Sequence, residues 1–282
     1  MFLNNLRLAL RHLNRQKVNT ALHIIGLTLG MGVCLLILLL LRYEWSFDRY
    51  HDKADKTYRV LSIYRDANKT LYNFSTPVPL AEALRTGVSG LANVTLAHPF
   101  WTATIEVNPQ KRFIEKRILA AGPDILDIFN IEVLRGNGYE ALRKPYHALI
   151  SEALAKKYFG SEDPLGKTLR FNHDFNITVG GIIRDQPSNT HLPFSMLLSF
   201  VADKRFLGPD PDNWGLMQGN STFVVESESF DIKRVQAQLT ELANQHINSD
   251  PNLPKDIRAD FQLQPLKDIH FESKHGGGSA WV

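Results

Sequence analysis

Residues 21–41 read ALHIIGLTLGMGVCLLILLLL and contain no Asp, Glu, Lys or Arg. At about 1.5 Å per residue, a helix of this length covers the roughly 30 Å hydrocarbon core of a bilayer. His23 is polar, but from Cys34 to Leu41 the run is apolar on every side. A buried core helix is usually shorter and keeps one polar face. The stretch predicts a single N-terminal transmembrane helix that is retained, because Leu40, Leu41, Arg42, Tyr43, Glu44 and Trp45 are not the small residues of a cleavage site.

Ahead of the run lie Arg7, Arg11, Arg15 and Lys17 with no acidic residue, whereas Arg42 behind it is soon followed by Glu44 and Asp48. The positive-inside rule puts Met1 in the cytoplasm and the bulk of the chain on the other side. Residues 2–15 carry Leu3, Leu6, Leu10 and Leu13 on one helical face and the arginines on another. They read either as an amphipathic helix on the inner leaflet or as the charged start of one continuous helix. Gly26 and Gly30 form a small-xxx-small pair that suits close packing of a second membrane helix.

The chain has 282 residues, 44% hydrophobic and 22% charged, enough to bury a sizeable core. Its formal net charge of +3 is smaller than the basic cluster before the span, so the remainder is close to neutral and nothing points to nucleic acid. The one cysteine, Cys34, lies in the apolar run, so the outer domain has no disulfide, which suits a bacterial periplasm.

Beyond Asp48 the pattern is short strands and a few helices. A hairpin is expected over 58–74, a helix introduced by Pro77 and Pro79, and strands at 94–97, 102–107 and 112–120. Ser151 is a suitable N-cap for a helix over 152–159 that stops at Gly160. Strands follow at 168–171, 177–183, 196–200 and 222–226. The helix over 231–248 places Ile232, Val235, Leu239, Leu242 and Ile247 on one face, and a strand over 260–266 closes the domain. The expected fold is α+β: the transmembrane helix, then a two-lobed mixed domain with mostly antiparallel neighbours.

Chemistry is sparse. Residues 160–168 end in Gly166, Lys167 and Thr168, but five residues separate the glycines where a phosphate loop needs four. Glu162 and Asp163 would repel an anion, and Pro164 has no N–H. The histidines are scattered without metal-binding spacing, so His98, His147, His191 and His270 read as ordinary polar or packed residues. No nucleophile motif appears, so no catalytic, cofactor or metal residues are assigned.

Six strings carry a resemblance: NNLRLALRHLNRQK at 4–17, IIGLTLG at 24–30, YEWSFDRY at 43–50 with DKAD at 52–55, FGSEDPLGK at 159–167, VGGII at 179–183, and QPLKDIH at 264–270. Together, in order over about residues 1–271, they resemble the N-terminal half of a MacB-like ABC transporter permease. The resemblance implies a basic cytoplasmic segment over 1–20, a span over 21–41 and a periplasmic core domain over 42–271; the Gly-rich residues over 272–282 read as a flexible tail, where the sequence departs from the family. It implies a bacterial inner-membrane protein with a cytoplasmic ABC ATPase partner, sister permease spans and a periplasmic adaptor, working in export or efflux without hydrolysing anything itself. Arg7, Arg11, Arg15 and Lys17 would face the ATPase, and Gly26 and Gly30 would pack on sister helices. Family members continue into three further FtsX-like spans, which this sequence lacks, so a truncated or split permease is expected. A stand-alone anchored sensor or adaptor is the alternative, and an anchored hydrolase the third reading.

Overall fold

The computed structural model describes residues 11, 15–200, 210, 212–215, 217 and 219–270. Most of the segment over 2–15 and the Gly-rich tail lie outside the described residues. The chain divides into two units, one ending at Ser46 and one beginning at Phe47.

The first unit holds helix α1, Lys17–Glu44, none of whose residues is buried. Leu36, Leu39 and Leu40 are among many large apolar side chains left open. Leaving such side chains in water costs about 1.5–3 kcal/mol each, so this helix is a membrane anchor by its energetics as well as its length. Gln16, with φ −113° and ψ 56°, is not helical and separates Arg15 from α1. α1 therefore begins at Lys17, after this break.

The second unit is built on a thirteen-stranded mixed sheet among the described residues. Its first strands are β1, Thr57–Arg65, β2, Thr70–Asn73, and β3, Leu91–Phe100, with α2, Val78–Gly87, between the last two. There follow the hairpin of β4, Ala103–Asn108, and β5, Lys111–Glu115, and then β6, Ile118–Ala121. Next come α3, Ile125–Ile128, β7, Val133–Gly136, α4, Gly138–Arg143, β8, His147–Ser151, and α5, Glu152–Phe159. The chain continues through β9, Thr168–Phe171, β10, Phe175–Ile183, β11, Met196–Ser199, and β12, Ser221–Glu226. It closes with α6, Ile232–His246, and β13, Arg258–Pro265.

The strand order is β13-β1-β12-β3-β6-β11-β8-β10-β9-β4-β5, with β2 on β1 and β7 on β10. Most pairs are antiparallel, as the short alternating runs suggest. Two are parallel, β8 with β10 and β6 with β11, and in each the connection carries the chain back to the same end of the sheet. The strand expected over 112–120 is broken at Lys116 and Arg117, because β5 pairs with β4 whereas β6 joins β3 and β11.

Two lobes share this sheet. In one, α2 and α6 cover Val60, Val224, Phe261 and Leu263 with Leu80, Leu84, Val235 and Leu239. In the other, Leu154 and Tyr158 of α5 pack on Ile105, Ile118, Ile150, Leu169, Phe171 and Ile177. The chain leaves the first lobe after Phe100 and returns before Ser221, so the first lobe is made from both ends of the domain. A third cluster takes residues from both, including Leu119, Phe129, Leu149, Leu197 and Phe223, and extends to Ala54, Leu266 and Ile269. Ser151 caps α5 by accepting from Leu154 N at 3.3 Å, and Gly160 ends it with φ +63°. Asp231 caps α6, accepting from Lys233 N at 2.9 Å.

Candidate functional site where the domain begins and ends

The strands that begin and end the second unit are neighbours. β1 and β13 pair antiparallel from Tyr58 opposite Pro265 to Arg65 opposite Arg258. The incoming segment over 47–56 and the outgoing turn over 266–270 therefore meet at one end of the sheet. A short 3₁₀ turn stands on each, Ala54–Lys56 and Leu266–Asp268. Lys267 Nζ pairs with Asp55 across them, and Ala54, Leu266 and Ile269 share the third core cluster.

Asp48 is the centre of this junction. Its φ of +51° lies in the left-handed region, which Asp tolerates better than most side chains. Its backbone N–H donates to Asn189 O at 3.1 Å. Its carboxylate is 1% exposed and accepts from Thr190 Oγ1 at 2.8 Å and from the backbone N–H of His191 at 3.1 and 3.2 Å. His191 Nδ1 adds a short hydrogen bond to Oδ2. On its other side, His191 Nε2 lies 3.0 Å from Nδ1 of His270, whose ring stacks on Phe47 at 4.1 Å and 9°. Three distant segments, over 47–51, 189–192 and 266–270, are thus joined through one carboxylate and two imidazoles.

Burial alone would push Asp48 upward, and it is the largest single influence on the group. The influences of His191, His51 and Thr190 together outweigh it and hold the carboxyl well below the usual carboxylate range. His51 is itself buried, its Nδ1 2.9 Å from Phe129 O and its Nε2 3.7 Å from Asp48 Oδ1 with no hydrogen-bond partner. Burial also pushes the Tyr50 hydroxyl up to about 12. Arg59, on β1, is 3% exposed and brought down to about 10 by desolvation, with the charge of Asp48 opposing. Its guanidinium donates to Gln264 Oε1 from Nη2 at 2.8 Å and from Nε at 3.2 Å, tying β1 to β13 a second time.

Local pattern gives no hint of this arrangement: Asp48 and His191 are 143 residues apart. Sequence reading treats His191 and His270 as ordinary polar or packed residues; the structure packs His191 on Asp48, and His270 on His191 and Phe47. His98 does fit the plainer reading, bonded to Asn220 Oδ1 at 2.6 Å and pushed down by burial.

The residues singled out on the membrane side lie elsewhere. Gly26 and Gly30 are in α1, and an added Cβ at either would meet nothing within 4 Å. A shallow apolar groove on α1 is lined by Ile25, Thr28, Leu29, Gly32 and Leu36, so it is centred beside the glycine pair and not on it. Arg11, Arg15 and Lys17 are exposed, and Arg7 lies outside the described residues. In the loop after α5, Lys167 pairs with Glu162, and Arg135 with Asp163 at 2.8 Å, so the cationic group there is already neutralised.

A family model described as the MacB-like periplasmic core domain matches residues 20–242. Among solved structures, a domain of a protein assigned as a permease from Porphyromonas gingivalis is 25% identical with a TM-score of 0.65. The match covers 77% of this chain and 92% of that one. The periplasmic region of MacB from Actinobacillus actinomycetemcomitans is 18% identical with a TM-score of 0.51, over 74% of this chain and 90% of that one. No curated protein matches.

Proposed function

This chain belongs to the MacB-like periplasmic core domain family of ABC-type transporter permeases, and from that premise we propose that it is a permease-type subunit or truncated permease of an export system. Its outer domain, in this reading, turns motion of the membrane helices, driven by a cytoplasmic ABC ATPase, into export or extraction of a substrate. The chain supplies the anchor and the moving domain and hydrolyses nothing. It sits in the bacterial inner membrane with Met1 in the cytoplasm, where Arg7, Arg11, Arg15 and Lys17 meet the ATPase or anionic headgroups. Gly26 and Gly30 give sister spans a surface for close approach, and a periplasmic adaptor is the outer partner.

The observation that carries this reading is the pairing of β1 with β13 along their length, with Arg59 and Gln264 buried between them. A displacement that reaches the domain through Phe47 and Asp48 enters a strand paired on both sides, with β13 and β12, instead of a free edge. Packed interiors transmit strain because they have little room to absorb it.

The test is co-purification. The full chain, solubilised from membranes of its own host, should bring down an ABC-type ATPase. Replacing Arg11, Arg15 and Lys17 together by Glu should abolish that recovery while the outer domain stays folded. Recovery that survives charge reversal would remove the assigned contact, and absence of any ATPase from the wild-type preparation would remove the transport reading.

A further inference from the structure

β3 loses one of its neighbours part-way along. β12 pairs with it from Leu91 to Ala97, but on the other side β6 pairs only with Ala97–Phe100. The chain turns away after Ala121, where Ile125 N donates to Gly122 O at 3.2 Å and Pro123 has no N–H to extend the ladder. From Leu91 to Leu96, that side of β3 has no strand beside it. Backbone groups alternate between the two sides of a strand, so Val94 and Leu96 both point to the vacated side. There Val94 O accepts from Arg85 Nη2 at 2.9 Å, and Leu96 O receives a long contact from Thr95 Oγ1 at 3.5 Å.

The vacated edge lies at a cleft of about 510 Å³ between the two lobes, within the roughly 300–1,000 Å³ range of ligand sites. Val78 and Ala81 of α2, Leu96 of β3 and Phe200 after β11 give it apolar walls, and Arg85 and Arg143 also line it. Arg85 is occupied: its Nη1 donates to Glu82 at 2.5 Å and its Nη2 lies 3.8 Å from Asp124. Arg143, at the end of α4, is exposed and makes no hydrogen bond or ion pair among the described residues.

We propose that this cleft is a peptide site: an extended, apolar segment of another protein, bearing a carboxylate, adds to β3 in the place that β6 vacates. Its main chain pairs with Leu96 and Val94, its apolar side chains meet the cleft walls, and its carboxylate pairs with Arg143. Strand addition draws affinity from main-chain hydrogen bonds and specificity from the flanking side chains, and a guanidinium holds a carboxylate through two parallel hydrogen bonds. A compact apolar ligand would leave the edge of β3 unused. A basic segment would set a second positive charge beside Arg143. Proteins generally cover or charge an open strand edge, and here the cover supplied by α2 is the Arg85 contact to Val94 O.

The test is fluorescence anisotropy of the full chain in detergent with a labelled, C-terminally amidated hexapeptide of alternating Val and Thr that ends in Glu. Binding should be saturable. The same peptide ending in Lys should bind about tenfold more weakly, the scale of one hydrogen bond to a charged group, and Arg143→Gln should abolish that difference. N-methylation of the peptide backbone should also weaken binding about tenfold, by removing donors to Leu96 O. Bound peptide should slow amide exchange at Val94 and Leu96 while the distant strand β10 is unchanged. Arg143 is exposed and unbonded, so its variant changes charge without disturbing the fold, and the methylated peptide tests the edge on the wild-type chain. No saturable binding, equal binding of the Glu and Lys peptides, full binding of the methylated peptide, or no protection at Val94 and Leu96 would overturn the site. A dimer of the chain that the peptide dissociates would also overturn it, in favour of a second copy in the cleft. The measurement needs no ATPase, so its failure and the failure of the transport reading are separate results.

Discussion

Asn248 completes the open edge of the sheet by pairing with both backbone groups of Ala259. Its Nδ2 donates to Ala259 O at 2.9 Å, and its Oδ1 accepts from Ala259 N at 2.8 Å. Gln236, on α6, bridges the next two outward-facing positions, donating to Phe261 O at 2.5 Å and accepting from Leu263 N at 3.5 Å. Side-chain amides thus occupy the outer edge of β13, where another strand would otherwise add.

Asn248→Ala should therefore do two things. It should cost about 1–2 kcal/mol by leaving edge groups of Ala259 without partners, and it should promote concentration-dependent self-association through the bared edge. Denaturant unfolding of the full chain in detergent reads the first, and light scattering the second. Unchanged values in both would show that the edge needs no cover.

Arg59 and Gln264 provide a test of coupling across the junction. Arg59→Met and Gln264→Leu should each destabilise, since each breaks a buried hydrogen-bonded pair, whereas the double variant should cost less than the sum. A double-mutant cycle on unfolding free energies should give a coupling of about 1 kcal/mol or more. Simple additivity would mean that the pair does not hold β1 to β13.

Asp48→Asn should cost about 2–3 kcal/mol at pH 7, the scale of hydrogen bonds to a charged group. Its sign with pH follows from linkage. The folded-state pKa is depressed, so the stabilisation is present above the ordinary carboxylate range and is lost as pH falls through the folded value. The gap between wild type and variant should not begin to shrink until below about pH 4. A gap that disappears already near pH 6 would contradict this assignment.

Gly136 pairs with Gly181 where β7 meets β10, at φ +83°, and a Cβ there would lie 2.8 Å from Gly181 Cα. Gly136→Ala should destabilise by about 3 kcal/mol or more, because both the backbone angle and the space are wrong. Gly160→Ala shares the positive φ but meets nothing within 4 Å, so it should cost clearly less. Thermal unfolding of the two variants compares them directly, and equal losses would rule out the packing explanation.

Much of the fold was legible locally. The Ser151 cap, the Gly160 stop and the apolar stripe of α6 sit within a few residues of the structure they specify, and the run over 21–41 needs only its own composition. The breaks were less legible. Nothing near Lys116 says that one strand should become two, because the reason lies in β4, β3 and β11. The strand β7 and the helix α4 carry too few apolar residues to show a period and are held by β10 and β8.

The sequence by itself determined the membrane anchor, the basic segment before it, the α+β character of the outer domain and the family. Each rests on composition or on neighbours along the chain, where hydrophobicity and backbone preference act over a turn or two. Only the tertiary structure decided that Asp48, His191 and His270 share one network and that Arg59 lies buried against Gln264. Those contacts join residues 79 to 205 positions apart. A carboxylate or an imidazole has no periodicity of its own, and its role is set by the donors, acceptors and burial that the folded sheet brings to it.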